Sequence, residues 1–95
     1  MTMDKKEALA VLGQKLAEYR KLSYADLAAR IGDDEQFEVT GPSGIEYQIE
    51  IQFLWDGQPN GNIRVFGGID DGGLRAFVPL IDDFIMSPDG RFVGD

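Results

Sequence analysis

From residue 45 to residue 55 the chain alternates apolar and polar side chains. Ile45, Tyr47, Ile49, Ile51, Phe53 and Trp55 fall on one side of an extended backbone, and Glu46, Gln48, Glu50 and Gln52 on the other. A period of two over this length predicts a β-strand with one face buried and one face wet. At ~3.3 Å per residue it runs roughly 35 Å, so it needs a covering layer along its whole apolar side.

The N-terminal third supplies that layer. From Thr2 to about Lys21, the residues Ala8, Leu9, Leu12, Leu16 and Tyr19 recur at steps of three and four, which predicts an amphipathic helix. Thr2 or Asp4 can cap it, the latter with Glu7 at capping-box spacing, while Lys15, Arg20 and Lys21 lie toward the end where the helix dipole favours cations. Ser23 with Asp26 repeats the cap spacing, and Gly32 is a stop signal, giving a short helix from about Tyr24 to Ile31. Residues 22–32, LSYADLAARIG, resemble the opening helix of a helix-turn-helix. Where that motif would place its recognition helix, the chain has Asp33, Asp34, Glu35 and an alternating strand, so the segment is read as a capped helix packing on a sheet.

Three further strands are expected. Residues 36–40 alternate Phe37 and Val39 with polar residues, and Gly41, Pro42, Ser43 and Gly44 form a hairpin loop that pairs Val39 with Ile45 and Phe37 with Tyr47. After the turn formers of residues 56–62, a strand at 62–69 points Ile63, Val65 and Ile69 inward and Arg64 and Phe66 outward. Asp70, Asp71, Gly72 and Gly73 then turn the chain into a strand at 74–79, with Leu74, Ala76 and Val78 inward and Arg75 and Phe77 outward. Pairing Ile69 with Leu74 sets Phe66 opposite Phe77 on the polar side of the sheet, near Leu54. In Pro79 to Met86 the helix-like spacing of Ile81, Phe84 and Ile85 predicts a segment folding over that aromatic pair, and a short fifth strand is expected near Arg91 to Val93. The fold class is therefore α+β in a single domain of residues 1–95: two helices on one face of a four- to five-stranded antiparallel meander. Leu9, Leu12, Leu16, Tyr19, Leu27 and Ile31 should meet Ile49, Ile51, Phe53, Val65 and Val78.

Composition narrows the chemistry more than it names a function. The 95 residues include no Cys and no His, which removes Ser-His and Cys-His nucleophiles and ordinary zinc sites. The net charge is −8 and unevenly spread. Residues 1–32 carry six basic against four acidic residues, whereas residues 33–95 carry only Arg64, Arg75 and Arg91 against thirteen acids. Such a sheet half repels phosphate, which argues against nucleic acid as a direct ligand. The apolar run at 8–13 is too short for a signal core or a membrane span, so a soluble cytoplasmic protein with no membrane partner is expected.

Residues 67–73, GGIDDGG, lack the lysine of a phosphate-binding loop. Asp70 with Asp71, and Asp82 with Asp83, are the candidates for a carboxylate Mg²⁺ or Ca²⁺ site, although Asp-Asp-Gly-Gly reads first as a turn. The functional expectation is a non-enzymatic protein-binding domain of inhibitor, immunity or adaptor type, without a cofactor. Its acidic sheet would meet a basic protein through Glu46, Glu50, Arg64, Phe66, Arg75 and Phe77. Homodimerisation through the same face is the second reading, and divalent-metal binding the third.

Overall fold

The computed structural model describes residues 4–72 and 79–94. Helix α1 (Lys5–Arg20) starts where Asp4, in extended conformation, accepts a hydrogen bond from the Glu7 N–H at 3.0 Å. Helix α2 (Tyr24–Ala28) starts in the same way, with Ser23 Oγ accepting from the Asp26 N–H at 3.1 Å. Both caps satisfy a backbone donor that has no partner within the helix. The second helix ends earlier than its spacing suggests. The chain then turns through Gly32, at a φ of +88° that glycine adopts without strain, and the Gly32 N–H donates to the Phe53 carbonyl at 3.1 Å.

Strands β1 (Asp34–Thr40), β2 (Glu46–Asp56), β3 (Asn62–Asp70) and β4 (Leu80–Met86) form one antiparallel sheet in the order β1-β2-β3-β4. The fold is α+β, with both helices against one face of this meander. On that inner face Ile49 lies opposite Ile69, Phe53 opposite Val65 and Trp55 opposite Ile63, and the row continues onto β4 with Phe84 and Met86. Leu12, Leu16, Tyr19 and Leu27 close over them, and the whole set is buried apart from a half-exposed Trp55. The alternation of β2 is realised along its length, with Tyr47, Ile49, Ile51 and Phe53 all at or near zero exposure.

Several local expectations change. Leu9 is 42% exposed and stands on the solvent side of α1, where Ala8 and Val11 instead face the core. The β1–β2 register is shifted by two residues, with Val39 opposite Tyr47 and Phe37 opposite Ile49, because the Gly41 N–H bonds to the Ile45 carbonyl and widens the loop. A shift of two keeps each side chain on its face. The larger correction concerns the fourth strand. Residues 74–78 lie outside the described residues, and the strand beside β3 is Leu80–Met86, so Ile69 pairs with Leu80 rather than Leu74. The segment expected to fold over the sheet as a helix is thus itself a strand. Phe66 has Gln52 and Asp83 as its cross-strand neighbours, not Phe77.

The fifth strand is reduced to a single bridge between Met86 and Phe92, next to a hydrogen bond from the Val93 N–H to the Ile85 carbonyl at 2.8 Å. This C-terminal turn stays on the helix side. Phe92 stands edge-on to Phe84 at 5.7 Å, and the Arg20 guanidinium lies 4.8 Å from each ring. A cation over two aromatic faces ties the end of α1 to the edge of β4.

Gly67 marks the closest approach of the two layers. A Cβ there would lie 2.7 Å from Leu12 Cδ1 and 3.2 Å from Ile51 Cδ1. Gly67→Ala should therefore lower stability by about 1–3 kcal/mol, as overpacking does. Leu12→Ala alone should cost about 2–5 kcal/mol. In the double variant the new methyl occupies part of the space Leu12 vacates, so a urea-unfolding cycle should show a combined loss smaller than the sum of the two. Additive losses would mean that the two layers do not meet at this point.

Candidate functional site

The helices cover one face of the sheet, and among the described residues no element lies on the other. Parity along the strands and the observed register place the outward side chains in rows across the sheet. Glu38, Gln48 and Asp70 share one row, and Gln36, Glu50, Gly68 and Ile81 the next. Asp34, Gln52, Phe66 and Asp83 follow, and then Leu54, Arg64 and Ile85. The face divides in two. Over β1 and β2 lies an open acidic groove of about 450 Å³, lined by Gln36, Glu38, Gln48, Glu50 and Asp70. From the end of β2 across β3 to β4 lies an apolar corner in which Leu54 is 45% and Ile81 54% exposed, with half-buried Phe66 and Ile85 beside them.

Arg64 is the basic residue of this face among the described residues. Its Nη2 and Nε bond to Asp56 Oδ1 at 3.0 and 3.3 Å, and its Nη1 donates to Asp83 Oδ2. Asp56 and then Asp83 raise the Arg64 pKa above its ordinary value. Two carboxylates on one guanidinium leave this group with a net negative charge, so Arg64 does not offset the acids around it.

Glu50 shows how crowded those acids are. Its pKa is raised, first by a hydrogen bond with Asp34, then by burial and by the Asp34 charge, while a hydrogen bond with Gln36 acts in the opposite sense. With the Asp34 charge beside it, the Glu50 carboxyl gives up its proton less readily than it would alone.

The acids on the helix side are placed differently. Glu7 Oε1 accepts from the Tyr47 hydroxyl at 2.8 Å and from Ser43 Oγ at 2.6 Å, and a side chain at Gly41 would collide with it. Burial, with Glu7 second, pushes the Tyr47 phenol up to about 12. Glu35 accepts from the Tyr19 hydroxyl at 2.6 Å and from Arg30 Nη1 at 2.7 Å, and Tyr19 is likewise raised, by burial first. These carboxylates are committed to holding the rim of the core.

Of the residues singled out from sequence, Glu46, Glu50, Arg64 and Phe66 do stand on this one face, while Arg75 and Phe77 lie outside the described residues. Asp82 and Asp83 are strand neighbours and point to opposite faces, with Asp83 engaged by Arg64. Asp70 Oδ1 accepts from the Gly72 N–H at 2.8 Å, as an Asx turn does. Among the described residues no three acids are grouped so that they could hold a metal ion. Sequence reasoning missed Asp34 as a strand residue because the apolar alternation that marks the strand begins only at Phe37, after the acids Asp33, Asp34 and Glu35. It missed Ile81 and Ile85 as outward residues because their spacing with Phe84 fits a helix as well as a strand. No helix among the described residues is long and apolar enough to cross a membrane.

No family model matches the chain, and no curated protein or solved structure is similar to it.

The Glu50 and Asp34 pair carries a testable consequence. A carboxyl whose folded pKa exceeds its unfolded value, about 4.3 for Glu, binds its proton more tightly when folded. Its stabilising contribution is fully present below the unfolded value and is lost as pH rises through the raised one. Glu50→Gln keeps a hydrogen-bonding group without the charge. It should raise the melting temperature at pH 7 relative to the natural chain, with the gain disappearing below about pH 4. A gain of the same size at both pH values would place its cause elsewhere.

Proposed function

We propose that this chain is a non-enzymatic protein-binding domain whose outer sheet face engages a basic partner. The observation that carries this reading is the pairing, on a face that no other described element covers, of exposed apolar side chains with acids whose charge no cation among the described residues cancels. Exposed apolar residues grouped on a small domain mark an interaction surface more often than scattered ones do. Acids beside them select a cationic partner and speed its encounter. The groups with chemical potential on the helix side are used structurally: Glu7 and Glu35 satisfy Tyr47 and Tyr19, and Arg20 stacks on Phe84 and Phe92. That division supports a binding role over a catalytic one. A soluble setting in the cytoplasm fits a chain whose sequence has no cysteine to oxidise.

Affinity capture with the natural chain and with Glu46→Lys/Glu50→Lys tests the reading. Both positions are exposed, so the variant should fold normally. A partner of high isoelectric point should be retained by the natural chain, with retention falling as salt is raised. The variant should retain it about tenfold less well. Equal retention by both forms, or retention indifferent to salt, would overturn the proposal.

A further inference from the structure

The outer face has a shape as well as a charge. Ile81, Phe66 and Leu54 occupy successive strands β4, β3 and β2, each displaced by two residues along the sheet from the last. They form a diagonal apolar line. Its ends are separated by two strand spacings across the sheet and four residues along it, about 16 Å in all. Three turns of an α-helix cover the same distance. On one side of this line lie Glu50, Asp34 and Asp70, and on the other lie Ile85 and the acids Asp56 and Asp83, which already share the Arg64 cation. Beside the line, between Glu50 and Ile81, Gly68 presents no side chain of its own, and Pro79 borders that space at van der Waals distance.

From this arrangement we infer that the partner presents a single amphipathic α-helix, with one apolar stripe and with Lys or Arg along one flank only. The inference rests on the proposed docking role of the face and adds the form of its occupant. The face of a sheet is covered by a helix or by another sheet, and the line is one helix wide. A peptide strand added at the free edge of β1 would reach Asp34 and Glu38 but leave Leu54, Phe66 and Ile81 bare. The opposite edge, along β4, is partly taken by the turn that carries Phe92 and Val93. A helix laid on the diagonal instead buries the apolar line and brings its basic flank to the acids, whereas a helix basic on both flanks would set a cation against Ile85.

Three synthetic peptides of equal length and composition separate the possibilities. The first carries leucines at i, i+4, i+7 and i+11 with lysines on one flank. The second carries the same residues in an order that destroys the stripe, and the third has its lysines on both flanks. Binding is read by fluorescence anisotropy, and peptide conformation by circular dichroism. The first peptide should bind at least about tenfold more tightly than either other and gain helicity on binding. Leu54→Ser/Ile81→Ser, two exposed positions, should weaken it about tenfold, and Glu46→Gln/Glu50→Gln should weaken it and flatten its salt dependence.

Equal, salt-sensitive binding of all three peptides would overturn the helix and leave the acidic docking role standing. Binding of none would remove both. Light scattering that showed a dimer, dissociated by Leu54→Ser/Ile81→Ser, would assign the face to a second copy of the chain and overturn the inference.

Discussion

Helix α1 approaches strand β3 so closely at Gly67 that Leu12 and Leu16 rest on bare backbone. The remaining architecture follows from that contact. With the helix seated this low, Leu12 and Leu16 reach the β2 and β3 side chains on either side, and a core is completed from one helix, a single turn of a second and one face of four strands. A chain of this size buries a smaller fraction of its surface than a larger domain does, so a shallow gap between layers is worth more to it than added chain length. The opposite face then contributes nothing to the core. It is free to carry whatever side chains function requires.

The two faces handle acidic residues in opposite ways. On the helix side two carboxylates at the rim of the core each have a phenol: Glu7 takes Tyr47 and Glu35 takes Tyr19, with Arg30 added to the second. The phenols bring an apolar ring to the core and a hydroxyl to the carboxylate, so neither group is stranded. On the outer side Glu50 has another acid beside it and Arg64 is outnumbered by Asp56 and Asp83. Like charges held together cost folding free energy. A surface arranged only to stabilise the fold would separate them, whereas a surface arranged to meet a cation has reason to gather them.

How much of this was legible in the letters depended on whether one pattern could be satisfied by only one geometry. β2 was unambiguous, since eleven residues of alternation have no helical equivalent, and both helix starts were marked by a capping side chain at the required spacing. The faces of Glu46, Glu50, Arg64 and Phe66 followed from that alternation alone. Leu9 was misplaced because an apolar arc read on a wheel does not say how much of it the opposing layer reaches. Here the layer touches Ala8, Val11 and Leu12 and stops short of Leu9. Register was misjudged by two residues because glycine-containing loops of different width read alike, an error that the two-residue side-chain repeat conceals.

The displaced fourth strand had the largest effect on the candidate site. Leu80 to Met86 carries apolar residues at both parities, Leu80, Phe84 and Met86 inward and Ile81 and Ile85 outward, and such a segment has no clean period of two. Read as a helix it becomes a lid over the outer face. Placed as a strand, its outward residues become part of that face, and a segment expected to hide the apolar patch instead supplies two of its members. Across from Phe66 stands Asp83, with Ile81 and Ile85 on the two diagonal positions. The patch thereby moves off the centre of the sheet to the β4 side. This leaves the acids of β1 and β2 as a separate band beside it, and it is the separation, more than either half alone, that gives the face a direction.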